Sequence, residues 1–292
     1  MEKSYGKKFR ILRKTAKITS SKAAEEVGIS RSTLERWERG EAGLDIEKVF
    51  KLLEVIHVQK IDFFNNNISN YLKNITLEVS KAYESNDINY LKTQSKKLLS
   101  EVENDSFDKR TFLKAAIYCN AYYDLTGVDI FTDNYKKRLS MYFSKILSGD
   151  EVWYYDDVYF FGNTQNLISP RTIYSLSFSL VFYLKNNNDL EMKFSTAILN
   201  TLINAEYILI KKDLKKAKRL DAIISGLDIT DRFAFEKIRY KYMHFMLNFL
   251  ETNDDHNLRL MWAALELQGL NTLKDGFETA FKQIKQIYSK KS

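Results

Sequence analysis

A chain of 292 residues with a formal net charge of +7 is long enough for a small domain plus a larger one, and its basic excess points to an acidic polymer as partner. A single cysteine, Cys119, excludes an intrachain disulfide framework, and no apolar run approaches the roughly 18 residues needed to span a bilayer. Met1-Glu2-Lys3-Ser4 leads straight into a charged stretch without the apolar centre of a signal peptide, so a cytoplasmic location with no membrane attachment is expected.

The cations are unevenly spread. Residues 1–39 carry 11 basic and 5 acidic side chains, and residues 1–64 carry 14 and 10. Such clustering at one end is the footprint of phosphate contacts. In chain order, YGKKFRILRKTAK places Phe9, Leu12 and Ala16 on one helical stripe, with Lys7, Lys8, Arg10, Lys14 and Lys17 mostly on the other. Residues 19–40, TSSKAAEEVGISRSTLERWERG, read as two short helices around a glycine turn. Thr19 caps the first, Ala24 allows close crossing, and Gly28 takes the left-handed conformation of the turn. Ser30 caps the second helix, in which Leu34 and Trp37 face inward with Val27 and Ile29, while Arg31, Ser32, Glu35 and Arg36 face outward. Asp45 caps a further helix through Val49, Leu52, Leu53 and Ile56, and Ile61 and Phe64 close the core.

These 64 residues resemble the DNA-binding domain of the lambda, 434 and Cro repressors, the Xre family. The likeness lies in the leading basic helix with Arg13, the A-A-E-E-V-G-I-S turn and the closing W-E-R-G at 37–40. It implies double-stranded operator or promoter DNA as the partner, with Arg31, Ser32 and Arg36 reaching base edges and Ser30 and Thr33 gripping the backbone. Arg10 joins them as a basic residue of the leading helix, and Arg13 and Glu38 match a structural ion pair. Ser20 stands where the family usually has glutamine; its hydroxyl can still donate to a phosphate but reaches less far.

From residue 65 onward the pattern is helical almost throughout, with one proline, Pro170, set behind a Ser169 cap. The spacing predicts helices near 66–84, 87–103, 107–126, 132–148, 152–167, 170–186, 189–211, 213–225, 230–252, 255–268 and 272–289. Antiparallel pairs begin near 107, 152, 189 and 230, a period of about 40 residues, as in tetratricopeptide-like arrays. The expectation is an all-α protein: a lambda-repressor-like helix-turn-helix domain over 1–64, then a right-handed superhelical array of helix pairs over 65–292. The concave groove of such an array suits an extended peptide.

Asn120, Asn163 and Asn200 recur at about the same place in successive units, and Asn166 and Asn204 lie about a turn further on. An amide offers the donor and the acceptor that a peptide backbone requires. Tyr123, Trp153, Tyr159, Tyr240 and Phe245 are nearby aromatics that suit apolar side chains, although aromatic stripes at this spacing also build cores. Cys119 lies in an apolar helical run and is expected to be a buried, inert thiol.

The whole chain resembles the Rgg/GadR/MutR family of transcriptional regulators. Beyond the helix-turn-helix, the likeness rests on VWYYDDVYFFGNT at 152–164, with Trp153, Tyr154, Asp156 and Gly162-Asn163 in mid-array. It implies a homodimer joined largely through the array, two heads on a pseudo-symmetric operator, and a short signalling peptide in the groove, favouring Asn163, Asn166 and Asn200. No cysteine stands in the head, so cross-linking of heads is not expected.

An enzyme is not expected. His57, His244 and His256 are scattered, no glycine-rich phosphate loop or G-x-S-x-G elbow is present, and nothing implies a cofactor or metal. Asp156 and Asp157 form the one compact acidic pair near the groove, either solvated or paired with basic head residues. The alternative regulator is ligand-independent, its array serving only to dimerise or to contact RNA polymerase.

Overall fold

The computed structural model describes residues 5–64, 70–104, 108–148, 153–187 and 189–290. It packs as two compact units, 1–77 and 78–292. Every regular element among the described residues is helical.

In the first unit, α1 (Tyr5–Thr15), α2 (Ser20–Glu26), α3 (Arg31–Arg39), α4 (Ile46–Val55) and α5 (Lys60–Phe64) surround a core of Phe9, Ala24, Leu34, Trp37, Leu52, Leu53 and Phe63. The turn chemistry is local. The Thr19 and Ser30 hydroxyls accept from the backbone N–H groups of Lys22 and Thr33, and the Asp45 carboxylate accepts from that of Glu47. Gly28 lies at φ +67°, as the turn between α2 and α3 demands. Two features fix α1 on α3. Gly6 is buried where a Cβ would come within 1.9 Å of the Trp37 carbonyl oxygen, so only glycine permits this crossing. Arg13 then forks onto Glu38, with Nε 2.6 Å from Oε1 and Nη2 2.8 Å from Oε2, both side chains being buried. Ala16 departs from the expected stripe: α1 ends at Thr15 and Ala16 is exposed. Phe63, fully buried, closes the core beside Phe64, while the Ile61 side chain lies outside the described residues.

The change of unit falls inside α6 (Asn70–Glu84), between Leu77 and Glu78. The second unit continues through α7 (Ile88–Asn104), α8 (Lys109–Thr126), α9 (Asp133–Leu147), α10 (Tyr155–Gly162), α11 (Pro170–Asn186), α12 (Met192–Lys212), α13 (Leu214–Ile224), α14 (Ala234–Thr252), α15 (His256–Leu267) and α16 (Asn271–Ser289). Among sequence neighbours α7 packs on α8, α11 on α12, α12 on α13, α14 on α15 and α15 on α16, whereas the pairs expected to begin near 107 and 152 make no comparable contact. Alternate helices also touch, α10 with α12 and α12 with α14 in one layer, α9 with α11 and α11 with α13 in the other. That two-layer stacking is the expected tetratricopeptide-like array. Ser169 caps α11 with Pro170 at its start, and the Cys119 thiol is buried in α8, its pKa pushed up to about 12 by burial.

One helix predicted over 152–167 is in fact broken. α10 ends at Gly162, and a single 3₁₀ turn covers Gln165–Leu167. A Cβ on Gly162 would come within 2.6 Å of Thr201 Oγ1, so α10 approaches α12 closely there. The buried Thr164 hydroxyl donates back to the Phe160 carbonyl at 2.7 Å, occupying a backbone group freed by the break.

α12 is the hub, packed by α10, α11, α13, α14 and α16. The last of these folds back upon α12 and α14: Tyr288 donates to the Ile210 carbonyl of α12 at 2.7 Å, and Phe277 stacks on Tyr242 of α14 at 3.9 Å. Within this core Glu206 is fully buried, and neither carboxylate oxygen has a hydrogen-bond partner among the described residues. Burial, and then the charge of Asp221, raise its pKa well above the usual carboxylate value. The folded chain therefore keeps this proton to higher pH than the unfolded chain, so the residue costs stability increasingly as pH rises above about 4.5. Replacing Glu206→Met should raise Tm at neutral pH, by a gain on the order of 1 kcal/mol or about 2–4 °C, and widen the gain between pH 5 and pH 8. Thermal melts across that range check it, and a loss independent of pH contradicts it.

Candidate nucleic-acid interface and amide groove

The exposed side of α3 is built by what its other side buries. Leu34, Trp37 and Glu38 are turned into the head, which leaves Arg31, Ser32, Thr33 and Arg36 exposed. Ser30 at the N-cap shares its hydroxyl with Ser32 at 2.9 Å and Thr33 at 2.8 Å, a polar knot at the leading end of the helix. Arg31 Nε donates to Glu35 at 2.7 Å, and Arg36 makes no ion pair among the described residues. Arg10 on α1 is half exposed, 4.0 Å from the Glu38 carboxylate. Ser20 differs from expectation in one respect: its hydroxyl already donates to Glu35 at 2.9 Å and is turned inward across the two helices. An exposed helix with guanidinium groups and hydroxyls at its leading end is sized and charged for a major groove.

In the second unit a cavity of about 380 Å³ opens between the end of α6, α8, the α10 break and α12. Four of the expected amides line it together: Asn120, Asn163, Asn166 and Asn204. Each is half used. Asn120 Oδ1 accepts from the Asn166 backbone N–H at 2.9 Å, and Asn204 Oδ1 accepts from Arg239 at 2.8 Å. Asn163 Nδ2 donates to the Tyr159 carbonyl at 2.7 Å, and Asn166 Nδ2 donates to Asp124 at 3.1 Å. Each partner can only donate or only accept, so the orientation of every amide is fixed. Asn120 and Asn204 are left with a free donor, Asn163 and Asn166 with a free acceptor, none hydrogen-bonded among the described residues.

The structure separates the remaining expected groove residues from this cluster. Asn200 lies one turn before Asn204 but outside the cavity lining, where it accepts from Arg239 and donates to Glu236 at 3.2 Å. Tyr240 is 5% exposed and belongs to the core, its hydroxyl 3.4 Å from the Asp221 carbonyl. Tyr123 is half-buried on α8 and does not line the cavity. Trp153 is also core, donating to Ser179 at 3.1 Å. Asn166 is not a turn beyond Asn163 on one helix but sits on the 3₁₀ turn, brought to the cavity by the break. Asp157 accepts from Tyr142 on α9.

Residues not singled out from the sequence complete the site. Tyr83 donates to Asp124 at 2.5 Å, Tyr207 closes the α12 side, and Gln165 donates to the Thr201 carbonyl at 3.0 Å. Burial, and then the charge of Asp124, push the pKa of both phenols up, which keeps them neutral. Lys212 reaches the Asn166 carbonyl at 2.7 Å, and burial lowers its pKa to about 8. Asp124 stands one turn after Asn120, a spacing that would have placed it; nothing in the sequence registers Tyr83 of α6 against α8. Among the described residues no cluster of three or more His, Cys, Asp or Glu is arranged to hold a metal, and no helix is long and apolar enough to cross a membrane.

Comparison with known proteins places both parts. Residues 9–63 match the helix-turn-helix family, and residues 96–279 match the family described as "HTH-type transcriptional regulator Rgg, C-terminal domain". No curated protein sequence matches the chain. Among solved structures, the fold is similar to the SHP pheromone receptor Rgg2 of Streptococcus dysgalactiae, with TM-score 0.72, 19% identity, and 96% of this chain and 99% of that one covered. It is similar to PrgX in its complex with cCF10, with TM-score 0.70, 14% identity, and coverage of 97% and 93%. A bacterial peptide pheromone/receptor complex aligns with TM-score 0.67 and 14% identity over 97% and 98% of the chains. With its array matched over most of its length and its head matched as a helix-turn-helix, this chain belongs to the Rgg family of helix-turn-helix transcriptional regulators.

Proposed function

We propose that this regulator works in the cytoplasm as a homodimer, joined largely through the array, that reads a pseudo-symmetric operator and answers to a short peptide. Four half-used amides around one cavity carry the peptide reading. Two offer donors and two offer acceptors, matching the alternating needs of an extended backbone, and each is anchored on its other side, so little rotamer entropy remains to be lost on binding. Tyr83 and Tyr207 supply apolar ring surface beside them. The likeness in fold to pheromone receptors and to a peptide pheromone/receptor complex supports the same reading.

At the head, Arg31, Ser32 and Arg36 read base edges while Ser30, Thr33 and Arg10 hold phosphates. Peptide and DNA are coupled by population shift: the peptide changes operator occupancy only as far as its affinity differs between two arrangements of the protein. In the second reading the array dimerises or contacts RNA polymerase without a ligand, and that reading gives the half-used amides no role.

Two outcomes test these assignments. Arg31→Ala and Arg36→Ala should each lower affinity for the selected operator by about 1–3 kcal/mol, while affinity for unrelated duplex falls far less. Competition binding of full-length protein at fixed salt measures this, and an equal loss on both duplexes contradicts base reading. Asn163→Ala and Asn204→Ala should weaken binding of short apolar synthetic peptides by about 1 kcal/mol or more per lost hydrogen bond. Calorimetry against a peptide panel checks it, and peptide binding indifferent to both substitutions moves the site elsewhere.

A further inference from the structure

The basic face of α3 carries one carboxylate, Glu35, and two helices contend for a single oxygen of it. Arg31 Nε donates to Glu35 Oε1 at 2.7 Å along α3, and Ser20 Oγ donates to the same oxygen at 2.9 Å from the first turn of α2. An exposed i,i+4 pair alone is a weak restraint. A second donor arriving from a different helix changes that, because it fixes the carboxylate against which the guanidinium rests. The hydrogen bonds from Arg31 and then Ser20 hold the Glu35 carboxyl below its usual pKa, so it stays an acceptor for both.

A guanidinium has five N–H groups in a rigid planar fork. With Nε engaged, the side edge facing Glu35 is occupied and the Nη1–Nη2 end edge is left. Arg31 is 65% exposed and no hydrogen bond of its Nη groups is seen among the described residues, so that end edge remains open to a ligand. Two parallel donors presented end-on match the O6 and N7 acceptors of guanine, which no other base offers in that pairing. An untethered arginine would instead distribute itself among phosphates and other acceptors, keeping affinity while losing discrimination.

We propose that Glu35 is a positioning residue for DNA reading: it fixes Arg31 to present its two Nη groups to one guanine of each half-site, and Ser20 is the tether that holds Glu35. The proposal rests on the reading in which Arg31 contacts a base. It also explains the serine at position 20, whose hydroxyl is spent on organising α3 and not on a phosphate.

Selection of the full-length protein against a randomised duplex library, followed by competition with every single-base-pair variant of the selected site, tests this. Arg31→Ala should erase the preference for a G·C pair at one position per half-site. Glu35→Ala should erase it at that same position, from about 10-fold to within about 2-fold, while other positions and unspecific affinity are kept. Glu35→Gln, which preserves an acceptor for both donors, should retain most of the preference, and Ser20→Ala should lose part of it. The double variant Arg31→Ala/Glu35→Ala should discriminate no worse than Arg31→Ala. If Glu35→Ala and Ser20→Ala keep full preference at the position that Arg31→Ala erases, the positioning role is overturned and the Arg31 reading stands. If Arg31→Ala changes no position, both fall. If Glu35→Ala erases a different position, Glu35 reads a base itself and the tether is overturned.

Discussion

A helix enclosed on nearly every side can carry a polar side chain only where something meets it, and α12 lives under that constraint. Five helices pack around it, and most of its inward positions are Ile, Leu or Ala. Its polar exceptions each have a definite place. Thr201 sits against Gly162 and donates to the Val158 carbonyl at 3.3 Å, holding the close approach of α10. Asn204 opens onto the cavity, steadied from behind by Arg239. Glu206 is sealed in without a hydrogen-bond partner among the described residues, an energetic liability that burial pushes toward the protonated form. The groove thus inherits its geometry from the core: where α12 is fixed, the break after α10 is fixed, and with it Asn163 and Asn166.

The head obeys the same logic on a smaller scale. Its reading face is defined by the crossing of α1 over α3, which Gly6 permits and the Arg13–Glu38 fork locks. A buried, doubly hydrogen-bonded pair of this kind resists sliding, because a shift that broke one bond would leave a charge without its partner in the interior. Arg31 and Arg36 are therefore carried on a helix whose rotation about its own axis is already settled.

Much of this was legible from the residues because the devices are local. Caps at Thr19, Ser30, Asp45 and Ser169, the left-handed Gly28 and the helical periodicities announce themselves within a few positions. The asparagine set was legible only in part, since recurrence in sequence says that residues share a layer, not that they share a cavity. Asn200 and Asn204 are one turn apart on α12, yet only the second lines the cavity, and Arg239 of α14 ties both. Tyr240 read as groove because aromatic spacing is the same in a core as at its edge. Gly6 was silent, and Gly162 stood out only through the family likeness, for a related reason: a glycine required by close approach has no signature until the neighbouring helix is in place.

The central claim is that the amide-lined cavity is a peptide site coupled to DNA binding. The most direct measurement places a photoreactive amino acid at Tyr207 of the full-length protein, irradiates it in cells of the native host, and identifies the adduct by mass spectrometry. The account predicts a short peptide attached at that position, in a yield that drops when Asn163 is also replaced by alanine. Capture of a non-peptide metabolite, or of nothing but neighbouring residues of the protein itself under conditions in which its operator occupancy changes, would contradict it.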